Sequence, residues 1–171
     1  QELKQLGVKF YVTVPDSLAR PLRELCERDG SFRVIKACHE SDAIAIASGL
    51  RIGGADSVVV IENAGFFQTV EALRAGPITM KVPMVLLVTY LGRQLPDEAP
   101  DHTLQRFNVQ GGGSGPHILL GGKLTERLLD LLNIPYGILQ SPDGAKLIPW
   151  AFQKAKEIEG PVAIVVDCPA A

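Results

Sequence analysis

Six short runs, Val8 to Val14, Arg33 to Ala37, Ser57 to Ile61, Pro83 to Thr89, Tyr136 to Leu139 and Val162 to Val166, are rich in Val, Ile, Leu or Tyr and show little polar alternation. A strand with one wet face alternates apolar and polar side chains, whereas near-continuous apolar runs belong in a parallel sheet covered on both faces. Between the runs, apolar residues return at helical spacing. Leu18, Leu22 and Leu25 follow Asp16 and Ser17, either of which suits a helix N-cap. Phe66, Val70 and Leu73 form a second stripe, Leu124, Leu128 and Leu131 a third, and Ile148, Ala151, Phe152, Ala155 and Ile158 a fourth, with Lys154 and Glu157 turned away. All four stripes read as core. The alternation predicts an α/β chain, a three-layer αβα domain with a six-stranded, mostly parallel sheet. No internal repeat or dividing linker breaks residues 1–171, which read as a single domain. Gln110-Gly111-Gly112-Gly113-Ser114-Gly115 is linker-like, either a mobile segment or an artificial joint.

Such a sheet gathers functional groups on the loops at the carboxyl ends of its strands. Pro15 to Ser17, His39-Glu40, Glu62 to Gly65 and Tyr90 to His102 fall there. Glu40 stands out because it opens an otherwise small and apolar helix, in which Ala43, Ala47 and Gly49 permit close backbone approach. A carboxyl group in a crowded corner tends to keep its proton and can then donate a hydrogen bond or relay a proton. The simpler reading is an acid welcomed by the positive end of a helix. Each neighbour also has two readings. Asp16 and Ser17 suit a cap as well as a site, and Asn63-Ala64-Gly65 suits a simple turn. Asp97, Glu98, Asp101 and His102 suit a solvated acidic loop, although a histidine beside carboxylates also suits proton transfer near neutral pH. His39 fits a buttress to the Glu40 loop, and His117 has no assignment.

Composition narrows the classes. The formal charge of −2, without a basic patch interleaved with aromatics, gives no case for nucleic acid or an anionic membrane. The longest apolar run, Met84 to Val88, is far shorter than the roughly 20 residues that cross a bilayer. Cys26, Cys38 and Cys168 lack metal or disulfide spacing and read as small buried residues of a reducing, cytoplasmic compartment. The three histidines lack metal-ligand spacing, so no transition-metal site is expected.

The run His39-Glu40-x-x-Ala43-x-x-x-Ala47-x-Gly49, closed by Gly53-Gly54, resembles the pyrimidine-binding (PYR) domain of thiamine diphosphate-dependent enzymes. Val14-Pro15-Asp16-Ser17-Leu18 is similar to the Val-Pro-Asp-Ser loop of phosphonopyruvate decarboxylases and sulfopyruvate decarboxylase α subunits. Gly92-Arg93 followed by Pro96 to His102 resembles their Gly-Arg…Asp-Glu-Pro-Gln-His segment, and Ile61 to Gly65 resembles their Gln-Asn-Ser-Gly turn. The chain departs from that pattern at Val12-Thr13, at Glu62 where a glutamine is usual, at Ala64 for serine, and at Phe66-Phe67 where smaller residues are usual.

The resemblance implies a thiamine diphosphate-binding fold of PYR type, in which Glu40 hydrogen-bonds N1′ of the aminopyrimidine, aided by Asn63, Gly65 and Phe66 as cofactor-binding residues. It implies decarboxylation of a small 2-oxo acid, with His102 as a second catalytic group and Asp16, Ser17 and Arg93 facing the substrate. Arg93 is the local cation for a phosphonate or sulfonate. Pro142-Asp143-Gly144 lacks the downstream Asn-containing segment that would hold a diphosphate through a metal, and Gly121-Gly122-Lys123 lacks the spacing of a phosphate loop. The resemblance therefore implies a hetero-oligomer, in which this α subunit meets a β subunit that holds the diphosphate and Mg2+. Phe66, Phe67 and the helix from Ser41 to Arg51 are the expected contact surface. A carboligase, another 2-oxo acid decarboxylase subunit and a non-catalytic α/β binding subunit are the alternatives.

Overall fold

The computed structural model describes residues 1–90 and 116–167. Its strands are β1 (Phe10–Thr13), β2 (Arg33–Lys36), β3 (Ser57–Glu62), β4 (Met84–Thr89), β5 (Tyr136–Leu139) and β6 (Pro161–Val166). They form one six-stranded sheet in the order β2-β1-β3-β4-β6-β5, with every neighbouring pair parallel. The expected mostly parallel sheet is thus entirely parallel. β1 is shorter than the run Val8 to Val14, because Pro15 has no N–H to give the ladder and restrains the residue before it.

The helices are α1 (Glu2–Gln5), α2 (Arg20–Arg28), α3 (Glu40–Ile52), α4 (Asn63–Phe66), α5 (Val70–Leu73), α6 (Pro116–Leu131) and α7 (Leu147–Ile158). Side chains alternate across a strand, so Val59 and Ile61 of β3 pack on one face while Val58 and Val60 pack on the other. Ala43, Ile44 and Ala47 of α3, Leu73 of α5 and Leu129 of α6 cover the first face. Leu3 of α1, Cys26 of α2 and Ala151, Phe152 and Ala155 of α7 cover the second. The two cores sandwich the sheet, giving the αβα layers. Between α5 and β4 the chain makes a wide turn over Arg74–Ile78, where Pro77 interrupts the regular helical ladder.

Three of the four apolar stripes depart in part from the expected core. Leu18 precedes α2 and Leu25 is 58% exposed; the buried row of that helix runs through Leu22 and Cys26 instead. In α6 the buried row lies one residue later than expected, through Thr125, Leu129 and the half-buried Leu132, leaving Leu131 76% exposed and Leu124 exposed. Ile158 is exposed at the end of α7. Spacing fixes which residues share a stripe, but only packing fixes the rotation of the helix. Cys26 is buried as expected, Cys38 is exposed instead, and Cys168 lies outside the described residues. The Gly-rich stretch 111–115 also lies outside them. Among the described residues no helix is long and apolar enough to cross a membrane.

Leu86 sits mid-β4 with no solvent exposure. Leu86→Ala is expected to lower unfolding stability by about 2–5 kcal/mol, through lost apolar burial and the cavity left behind, as read from urea denaturation.

Candidate active site at the carboxyl edge of the sheet

β1 pairs with β2 on one side and β3 on the other. The chain leaves β1 outward to β2 and then crosses back to β3, so a crevice opens where the carboxyl ends of β1 and β3 part. The Thr13 hydroxyl donates to the Val60 carbonyl at 2.7 Å, tying these strands at that end. Asp16 lies just beyond, on the β1–α2 loop. One of its oxygens accepts the Ala19 N–H at 2.7 Å and closes the turn into α2; the other is buried with no hydrogen-bond partner. Burial raises the Asp16 pKa above its ordinary 3.8, against the lowering effect of the Ala19 and Leu18 N–H groups and Arg23, while Glu40 adds a further rise. Beneath it the fully buried Tyr11 hydroxyl also lacks a partner, and its pKa is pushed up by burial and by nearby Cys26 and Asp16.

Glu40 enters from a third direction. His39 is extended, with φ −134° and ψ 153°, and Glu40 is the first residue of α3, which has no side-chain N-cap. An acid serving only the helix end would turn back onto the free N–H groups of α3. The half-buried Glu40 instead lays its carboxyl over Gly65, so closely that a Cβ placed on Gly65 would fall inside it. Glycine at 65 is therefore a condition of this carboxyl position. The Ser41 hydroxyl donates to the Gln68 carbonyl at 2.9 Å and pins the start of α3 to the same segment. Fully buried Ala43 and nearly buried Ala47 let α3 settle onto the sheet behind it.

Glu62 ends β3, opposite Thr89 of β4, and completes the edge. It shares the strand parity of Val58 and Val60, so its side chain leaves the sheet on the face of Tyr11, beside Asp16. Burial raises its pKa above the ordinary 4.5, and Asp16 and Glu40 raise it further. Three carboxyl groups from three segments thus converge on one crevice. Sequence reasoning noted Glu62 as a departure without placing it in the site. Its signal was an acid at the carboxyl end of a strand otherwise made only of Ser, Val and Ile.

The other candidates divide. Ser17 is half-buried on the Asp16 loop, and Gly65 forms the floor under Glu40. Asn63 is buried and donates to the Thr125 hydroxyl at 3.2 Å, which in turn donates to the Gly121 carbonyl at 2.8 Å, so the amide locks α4 to α6. Phe66 is wholly buried in the core and offers the crevice no ring surface, nor any to a partner; Phe67, half-buried and tilted 52° against it, remains at the edge. Arg93 and His102, with the acidic segment Asp97 to Asp101, lie outside the described residues. A group that sequence reasoning missed lies nearby: the Tyr90 hydroxyl bonds to the Gly122 carbonyl and to Glu126, which Tyr136 also reaches at 3.4 Å. This network ties the ends of β4 and β5 to α6. A cleft lined by Arg51, Asp56, Phe152 and Lys156 lies at the opposite, amino end of the strands, where the Arg51–Asp56 ion pair at 2.8 Å satisfies its main charges. Among the described residues no group of three His, Cys, Asp or Glu is placed to hold a metal ion.

Comparison with known proteins agrees with this geometry. Residues 1–110 match the family described as thiamine pyrophosphate enzyme, N-terminal TPP binding domain. The chain is 26% identical over 169 residues to the sulfopyruvate decarboxylase subunit alpha of Methanocaldococcus jannaschii, covering 96% of this chain and 88% of that one. It is 24% identical over 162 residues to the Methanococcus maripaludis protein of the same name, covering 94% and 87%. It is 26% identical over 150 residues to a phosphonopyruvate decarboxylase of Streptomyces viridochromogenes, covering 88% of this chain and 33% of that longer one.

Two outcomes follow from the geometry. Gly65→Ala is expected to fold with a stability loss below about 1 kcal/mol, because the group that must move is the end of a flexible side chain, yet to displace the Glu40 carboxyl in a crystal structure. The raised pKa of Glu62 means that the folded state holds its proton more tightly than the unfolded chain. That penalty is absent below the ordinary 4.5 and complete above the raised value, so it destabilises as pH rises. Glu62→Gln is expected to match the wild type in urea unfolding at about pH 4 and to exceed it at about pH 7.

Proposed function

Because the chain belongs to the thiamine pyrophosphate enzymes, as their N-terminal TPP binding domain, we propose that it is the α subunit of a thiamine diphosphate-dependent 2-oxo acid decarboxylase. The substrate class is sulfopyruvate- or phosphonopyruvate-like, as the names of the relatives suggest. A β subunit supplies the diphosphate site and its Mg2+. The observation that carries this reading is the Glu40 carboxyl, held over Gly65 and unused as a helix cap.

The aminopyrimidine of the cofactor needs one carboxyl group, facing the crevice and not spent on the fold, and Glu40 meets that need. When bound, the cofactor supplies a cationic ring that accepts the electron pair left as carbon dioxide departs. The protein's part is placement. Ser41 and Gly65 fix where the Glu40 oxygens lie, so a hydrogen bond to a ring nitrogen requires no rearrangement. Asp16 and Ser17 form the β1 wall of the crevice, and Asp16, with its raised pKa, is suited to hold or release a proton there. Asn63 keeps α4 against α6, which holds Gly65 in place. A partner closing the open edge would exclude water and strengthen each of these contacts.

Glu40→Gln keeps the side-chain shape but cannot exchange a proton. It is expected to lower turnover of sulfopyruvate or phosphonopyruvate by at least about a hundredfold, while native mass spectrometry still shows the two-subunit complex. Unchanged turnover would return Glu40 to the role of a helix-end acid.

A further inference from the structure

We propose that Glu62 is a substrate-binding residue of this site, that it acts as a hydrogen-bond donor to an anionic oxygen of the oxo acid in its protonated form only, and that it thereby makes substrate affinity pH-dependent. The inference rests on the decarboxylase reading and adds a residue and a regulation to it.

Position comes first. Glu62 is the last residue of a central strand whose preceding five residues are all buried, and it emerges at the mouth of the crevice between β1 and β3. Its side chain has no task in the fold. It precedes α4 without capping it, and among the described residues it enters no hydrogen bond or ion pair. A half-buried acid with no structural partner, on the edge where Asp16 and Glu40 also point, is placed to meet a ligand.

Charge then decides what it can meet. The groups that face Glu62 are Asp16 from the β1–α2 loop and Glu40 from α3, both acidic, while its neighbour across the ladder, Thr89 of β4, is neutral. Three ionised carboxylates here would repel a 2-oxo acid that carries one or two negative charges of its own. Burial together with the two acids already favours the neutral form of Glu62, and an arriving anion favours it further. A neutral glutamic acid has nearly the shape of glutamine and, like it, offers one donor to an anionic oxygen. The two differ in one respect: the acid loses its donor, and gains a repelling charge, when the pH rises. Substrate binding is therefore coupled to uptake of one proton from solvent onto Glu62.

The test uses the two-subunit complex loaded with thiamine diphosphate, and the unreactive dianion 3-sulfopropanoate as probe. Calorimetry in two buffers of different ionisation enthalpy gives affinity and proton uptake across the pH range above 4.5. The wild type is expected to lose up to about tenfold in affinity per pH unit while taking up close to one proton. Glu62→Gln is expected to bind with affinity that no longer falls with pH, and without that proton. Glu62→Leu, of similar size but with no donor, is expected to bind weakly throughout. Equal proton uptake by wild type and Glu62→Gln, or Leu equivalent to Gln, would overturn the inference while thiamine diphosphate binding left the decarboxylase reading intact. A wild-type complex that binds no thiamine diphosphate would instead remove that reading, and the inference with it.

Discussion

The pairing of β1 on both of its edges is the constraint from which the rest of the site follows. Because β2 and β3 lie on opposite sides of β1, the chain must reverse direction across the sheet, and helices entering from the two sides leave a gap at the carboxyl ends. The Asp16 loop, the start of α3 and the end of β3 all open into that gap. The strands that bear it are among the most buried in the molecule, so the crevice rests on a rigid edge. Rigid support matters here because a carboxyl that must meet one nitrogen atom tolerates little displacement.

Within the crevice a single missing atom sets the geometry. With no Cβ at Gly65, the Glu40 carboxyl occupies the space a side chain would fill, and the Ser41–Gln68 hydrogen bond holds the helix start at that distance. Electrostatics then act on what the backbone has assembled. Asp16 and Glu62 are both shifted chiefly by burial and secondarily by the other acids, so their proton affinities depend on one another and on whatever anion arrives. An acidic crevice serving an acidic substrate is consistent only if protons are shared between them, or if cations come from Arg93 and the partner chain.

The layers and the sheet were legible in the chain because burial on both faces forces near-continuous apolar strands, and Val58 to Ile61 or Met84 to Val88 have no other reading of comparable economy. The resemblance carried by Glu40, Asp16 and the Asn63 turn was legible for the same kind of reason: small residues and one acid at fixed offsets. Helix rotation was less so. Leu25 and Leu131 share a stripe with buried leucines yet face outward, because a helix with apolar residues on more than one row takes the rotation its neighbours allow. Phe66 and Asn63 looked like rim residues by position, and packing turned the first into the core and the second onto Thr125.

The sequence alone therefore determined the α/β class, the edge of the sheet that carries function, and the acid at the head of α3, since each depends on local pattern and hydrophobicity. Only the tertiary structure decided that Glu40 lies over Gly65 rather than on its own helix, and that Glu62 joins Asp16 beside it. Those relations join residues 25 and 46 positions apart, and their distances exist only once β1 is clasped between β2 and β3.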